Sequence, residues 1–465
     1  MKRFVSTLML LSMVALLPSC NKFLDIKPKG FVIPEYTQDY EKLLNYAQLM
    51  KYSDNTVIYM TDDLFIPDDE QDFTGGVPGL DVAERNFYLF NETIYGDGIK
   101  DPLYEYSYNR IYYYNVIVDD IMGTYGGSEQ KKKELRAEAL VGRALEYLNL
   151  VNAYAKHYDP KTAATDPGVP LMIDKKIEKT DLTRASVQEV YDQIKRDLDE
   201  AAPNLPEKPV NNAYRASRPV GYGMLARMYL YMGDYEKALQ NAKTSLEHNS
   251  TLLDLKKYAV VNPMGYIGRI NVPDGAKNPE NTYVRLAPYT FGFSTRGYGS
   301  DDLLALFDKE KDQRYLLYFT KKLGSYEFKR PLWAPYIYAN LAMATPEMYL
   351  IAAESEARLG NTAEALRYLN TLRDNRIIDN KPLQAASAKE ALRMVLEERR
   401  RELPFLGTTR LIDLKRLNRE PEFAKTVVHT AGGKEYQLEP NSPRYVLPIP
   451  LNVLRHNPNM KPNIR

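Results

Sequence analysis

The stretch "GYGMLARMYLYMGDYEKALQNAKTSLEH", residues 221–248, decides the fold. Small and large apolar residues recur at helical spacing up to Met232, Gly233 interrupts them, and a second amphipathic run begins at Tyr235. A glycine just past a helix end adopts the left-handed backbone that other residues resist. The segment therefore predicts two antiparallel helices joined by a tight turn. A second stretch, "TPEMYLIAAESEARLGNTAEALRYLNTLRDNR", residues 345–376, has the same layout around Gly360. Counted from the glycines, Tyr222, Ala226 and Ala238 answer to Tyr349, Ala353 and Ala365, and Tyr229 and Tyr235 add aromatic positions to the first copy.

Large, small and aromatic positions in this order are the pattern of tetratricopeptide hairpins, whose small residues let paired helices approach closely. The copies stand too far apart for a simple tandem array, and isolated hairpins leave apolar faces open, so further helices must complete the stack. Residues 131–158 carry a stripe of Ala137, Leu140, Val141, Ala144, Leu148 and Val151. Residues 101–122 line up Tyr104, Tyr108, Ile111 and Asn115. In residues 388–403, Glu397 precedes Arg401 by one helical turn, a favourable ion-pair spacing. Glutamates bracket that arginine run, which reads as a solvated or ion-paired face rather than a nucleic-acid patch. Residues 60–100 and 259–300, rich in proline, glycine and asparagine, read as long loops, and residues 445–465 as an extended tail. The expected class is mostly α: a tetratricopeptide-like helical-repeat scaffold with long irregular insertions and little β.

Lysine and arginine total 62 against 61 acidic residues, so charge offers no warrant for binding nucleic acid or an anionic surface. Tyrosine is the unusual number, at 37 against 14 phenylalanines and one tryptophan. Its flat apolar face and hydroxyl suit packing between helices and wet contact surfaces alike. The four histidines are scattered, without the i, i+4 spacing of a zinc helix, and no Walker loop, Gly-x-Gly-x-x-Gly or nucleophile elbow occurs. In "DDLFIPDDEQD", residues 62–72, the alternating Asp68, Glu70 and Asp72 suggest an ion loop. Phe73 at the required glycine and Gly79 at the terminal glutamate fail the EF-hand pattern, which favours a solvated acidic loop. No metal, cofactor or enzymatic role is expected.

The single cysteine, Cys20, follows a positive start (Lys2, Arg3) and an apolar run from Leu8 to Leu17 that is too short to span a bilayer. Leu17-Pro18-Ser19-Cys20 resembles the bacterial lipobox, in which the cysteine is lipidated and becomes the first mature residue. Residues 1–19 are thus expected to be a signal peptide and Cys20 a membrane anchor.

Together these pieces resemble the SusD/RagB family of outer-membrane lipoproteins. "CNKFLDIKP" is similar to its mature start. "YEYSYNRIYYYN" resembles its aromatic helix, with Tyr104 where many members have tryptophan, and "RAEALVGRALEYLNLVNAY" its long helix, with Gly142 in a spot usually filled by something larger. "MYLYMGDYEKAL", "DLLALFDKEKDQRY", "TPEMYLIAAESEARLGN", "ERRRELPFLGTTRLIDLKR" and "YVLPIPLNVLRHNPNM" complete the series. The resemblance implies one SusD-like domain over residues 20–465, with the scaffold at about 20–250 and 340–420 and a loop-rich binding region at about 259–340. It also implies a nutrient-binding lipoprotein that delivers oligosaccharides to a TonB-dependent outer-membrane barrel in polysaccharide utilization, without transforming them.

A glycan site needs an aromatic platform flanked by hydrogen-bonding groups. "RPLWAPYIYAN" supplies Trp333, Tyr336 and Tyr338 beside Arg330 and Asn340. "RLAPYTFGFSTRGYG" supplies Tyr289, Phe291, Phe293, Arg296 and Tyr298, and Tyr95 with Asp97 come next. The scarcity of tryptophan leaves room for oligopeptide capture as an alternative. A ligand-free scaffold in outer-membrane assembly and an enzyme using paired carboxylates are the remaining classes.

Overall fold

The computed structural model describes residues 34–50, 55–176, 182–265, 268–286, 297–334 and 340–465. The expected anchor Cys20 lies outside them. The principal helices are α1 (Thr37–Leu44), α2 (Pro102–Asp120), α3 (Glu129–Tyr154), α4 (Val187–Asn204), α5 (Arg218–Met232), α6 (Tyr235–His248), α7 (Thr345–Arg358), α8 (Thr362–Asp374), α9 (Ala388–Glu402), α10 (Thr409–Leu417) and the short α11 (Leu451–His456). Their starts are written locally. Asp101 accepts from the Tyr104 N–H to cap α2, Ser128 from Lys131 to cap α3, and Ser186 forms a capping box with Glu189 on α4.

The two hairpins close alike. Gly233 (φ 78°) and Gly360 (φ 90°) are left-handed. The N–H after each reaches back along the helix, Asp234 to the Tyr229 carbonyl at 3.0 Å and Asn361 to the Glu356 carbonyl at 2.8 Å. Ala226, Ala238, Ala353 and Ala365 are fully buried between the paired helices. Helices pack in succession, α2 on α3, α3 on α4, α4 on α5, α5 on α6, and then α6 directly on α7, which carries α8 and α9. The hairpins are therefore neighbours in space, and residues 249–344 form an excursion that leaves the stack and returns to it.

That excursion holds most of the β structure. The strands are β1 (Leu64–Phe65), β2 (Asn281–Tyr283), β3 (Tyr298–Gly299), β4 (Phe319–Leu323), β5 (Tyr326–Trp333), β6 (Met343–Ala344), β7 (Val427–Ala431) and β8 (Lys434–Leu438). β1, β3, β5 and β4, in that order, make an antiparallel sheet in which Phe65 pairs with Tyr298, Tyr298 with Leu332, and Trp333 with Phe319. β2 pairs with β6, and β7 with β8.

Buried arginine–carboxylate pairs tie the stack together: Arg110–Glu146 between α2 and α3, Arg143–Asp197 between α3 and α4, and Arg416–Glu354 between α10 and α7. The arginine run of α9 belongs to this set, since Arg399 pairs with Asp413 and Arg400 with Asp63. Arg401 chooses Glu398 at 2.7 Å, not Glu397, because Glu398 sits on the buried face of α9 where Arg314 and Arg373 also converge. The acidic segment divides: Asp68, Asp69 and Glu70 are exposed, as expected of a solvated loop, whereas its first two residues are not. Asp62 and Asp63 are buried against Arg400 and Arg410, Asp68 accepts from the Gly432 and Gly433 N–H groups, and Asp69 pairs with Lys329. Burial pushes Asp62 towards its neutral form, but Arg410, Arg400 and Lys425 outweigh it and hold the carboxyl well below the ordinary range. The C-terminal tail contains α11 and is tied down. Leu447 donates to the Ala153 carbonyl, and Asn463 to those of Tyr154 and Leu447.

Candidate ligand-binding site

The side chains of β5, "YEFKRPLW", divide between the two faces of the sheet, with a shift in register against β4 between Leu332 and Glu327. Trp333 faces the helical stack. Its ring is 9% exposed and meets Phe319 at 5.0 Å, Phe405 at 5.1 Å and Tyr318 at 5.5 Å between centroids. Phe328 and Leu332 instead join Tyr298 in a separate small cluster, with Phe65 and Leu323 packed against it. Arg330 lies with its guanidinium 4.0 Å from the Phe65 ring centre and pairs with Asp301.

On this second face Phe73, from the acidic segment, meets Tyr326 at 4.7 Å and Phe328 at 5.0 Å. Phe73 is 41% and Tyr326 57% exposed, so the two rings form an open aromatic surface over the sheet. Polar groups frame it. The Tyr298 hydroxyl donates to Asp72 at 2.8 Å, and the Thr74 N–H and hydroxyl donate to the same oxygen. Burial and the neighbouring Asp72 carboxylate push the Tyr298 phenol well above its ordinary value, so it remains a hydrogen-bond donor. Lys329 bonds Asp69 at 3.1 Å and draws that carboxyl below its usual range. Aromatic faces flanked by a lysine, an arginine and carboxylates suit a ligand with apolar C–H faces and hydroxyl edges.

The structure distributes the sequence-predicted residues unevenly. Tyr298 belongs to this face, and Arg330 borders it. Trp333 is on the opposite face of the same strand, packed as core. Asn340 is occupied structurally, its amide spanning the Tyr283 and Met343 carbonyls. Tyr95 is half-buried, edge-on to Phe87 at 5.9 Å, and Asp97 pairs with Arg455 of α11. Tyr289, Phe291, Phe293, Arg296, Tyr336 and Tyr338 lie outside the described residues. Sequence reasoning missed Phe73, Tyr326 and Phe328. The signal was present in the alternation of Tyr326, Phe328, Arg330 and Leu332, but Phe73 becomes their neighbour only through tertiary folding.

Comparison with known proteins places the fold. A family model described as "Starch-binding associating with outer membrane" matches residues 22–230, and one described as "SusD family" matches residues 339–464. A search of curated proteins finds no match. Among solved structures, a SusD superfamily protein of Bacteroides thetaiotaomicron is 20% identical, with a TM-score of 0.74 over 92% of this chain and 100% of its own. A putative sugar binding protein of Bacteroides vulgatus is 22% identical, with a TM-score of 0.70 over 93% and 99%. A laminarin binding SusD-like protein is 18% identical, with a TM-score of 0.63 over 92% and 99%. At these identities the structures establish a shared fold. Among the described residues, no helix is long and apolar enough to cross a membrane.

Proposed function

This chain belongs to the SusD/RagB family, and on that premise we propose that it is a lipid-anchored surface protein that captures oligosaccharides and passes them to a TonB-dependent outer-membrane barrel. The observation that carries the reading is the open Phe73–Tyr326 surface on the sheet, framed by Asp69, Asp72, Lys329 and Arg330. A pyranose ring stacks its C–H face on such rings and bonds its hydroxyls to the flanking groups. Capture, not transformation, is the role. The starch-binding description of the matching family model and the laminarin-binding neighbour support a glucan-like ligand. Cys20 serves as the anchor, residues 1–19 as the removed signal, and residues 20–465 as one mature unit.

The test is calorimetry of the chain from residue 20 onward against laminarin, soluble starch, other plant, host and microbial glycans, and a mixed peptide pool. The Phe73→Ala/Tyr326→Ala variant is expected to lose about tenfold or more in glycan affinity at unchanged unfolding temperature, because both rings are exposed. Binding confined to peptides, or glycan binding indifferent to both rings, overturns the reading.

A further inference from the structure

A second concave surface lies on the other side of the sequence logic, between α2 and the C-terminal segment. It encloses about 580 Å³, within the range of small-ligand sites. One wall is the α2 stripe of Glu105, Tyr108, Asn109 and Tyr112, and the other is α11 and the residues after it, including His456 and Met460. Resting on the carbohydrate reading above, we propose that this groove is a second site for a neutral oligosaccharide, separate from the sheet face.

Three features select that ligand class. The walls carry aromatic rings: Tyr104 and Tyr108 meet at 4.8 Å with their planes tilted by 45°, and Tyr112 is 37% exposed. The hydrogen-bonding groups suit hydroxyls better than anions. His456 Nδ1 lies 2.7 Å from the Asn452 carbonyl, which only accepts, so Nδ1 carries a proton and the neutral ring presents Nε2 as an acceptor. Glu105 adds acceptor oxygens, and its charge is already met by Lys100 at 3.0 Å and by the Asn452 amide. The exposed Asn109 amide offers a donor and an acceptor together. A sugar hydroxyl both donates and accepts and can use all of these groups, whereas phosphate or carboxylate would face the Glu105 and Asp174 carboxylates, with Lys176 the single lysine of the lining. Finally, the aromatic surface runs on beyond the groove, from Tyr112 to Tyr113 at 5.8 Å and from Tyr113 to the exposed Tyr46 at 5.5 Å. Such a track fits a chain of rings rather than a single compact molecule.

The experiment is calorimetry on the chain from residue 20 onward with laminarihexaose, maltoheptaose and xylohexaose, comparing wild type, Asn109→Ala/Tyr112→Ala and Phe73→Ala/Tyr326→Ala. Asn109 and Tyr112 are on the exposed face of α2, so their replacement leaves the fold intact, checked by the unfolding temperature. Wild type is expected to bind one of these sugars at two independent sites. The α2 variant should weaken one of them about tenfold or more and spare the other, and the sheet variant should do the reverse. An isotherm unchanged in the α2 variant overturns the groove proposal while the sheet variant still decides the primary site. Loss in the α2 variant alone upholds the groove and removes the sheet face. If none of the sugars binds, both fall.

Discussion

Gly142 lies in the middle of α3, where alanine would ordinarily stabilise a helix by about 1 kcal/mol. The structure predicts the opposite outcome for Gly142→Ala. An added Cβ would sit 2.2 Å from Tyr114 Cζ and 2.4 Å from its Cε1, against the roughly 3.5–4.0 Å of normal carbon contact. The Tyr114 ring is 1% exposed, and its hydroxyl accepts from Arg285 at 3.3 Å, so it has no free space to swing into. Overpacking of this kind costs about 1–3 kcal/mol, and displacing the hydroxyl forfeits about 1 kcal/mol more. Set against the gain in helix propensity, the net loss is about 1–3 kcal/mol. Urea unfolding followed by circular dichroism measures it. In a double-mutant cycle, Tyr114→Ala should cost less in the Gly142→Ala background than in wild type, with a coupling of about 1 kcal/mol or more. A Gly142→Ala protein as stable as wild type, or additive behaviour in the cycle, would refute the idea that the glycine exists to seat Tyr114.

Trp333→Ala should destabilise the fold by about 3–5 kcal/mol while leaving the glycan affinity of the folded fraction unchanged, read by urea unfolding and calorimetry together. Asp62→Ala removes the two-bond partner of the half-buried Arg410 and leaves it only Asp63 at 3.8 Å, while Arg400 keeps Asp63 at 2.7 Å; it should cost about 3 kcal/mol, also read by urea unfolding. Lys415 is buried with the Asn152 and Ala155 carbonyls as partners, and burial lowers its ammonium from 10.5 to about 7. Between those values the unfolded chain binds this proton and the folded chain does not, so the group makes stability rise with pH above about 7. Lys415→Met should flatten that rise in urea midpoints taken between about pH 7 and 9; an identical slope in both proteins would count against the assignment.

The helical hairpins were legible because their determinants are local. Gly233 and Gly360 mark the left-handed turns, and the alanines one helical repeat away mark the close-packed faces. Gly142 looked like a departure from the family pattern until Tyr114 was seen to fill its place. The two hairpins looked distant, and only packing of α6 on α7 makes them adjacent. Asp62 and Asp63 read as a solvated loop because their partners, Arg400 and Arg410, lie at the far end of the chain.

The candidate site divides along the same line. Composition already located aromatic residues between positions 259 and 340, and the alternation of β5 was written in "YEFKRPLW". Which side chains of β5 are covered and which are left open was not local information. Pairing of Trp333 with Phe319 turns the indole onto the helical stack; across a shift in register between Thr320 and Lys322, Phe328 joins Leu332 and Tyr298 instead, and Phe73 packs against Phe328 and Tyr326. Local sequence determines turns, caps and periodicity because those depend on neighbours within a few residues. The face a strand exposes depends on what covers the other face, and only the tertiary structure decides that.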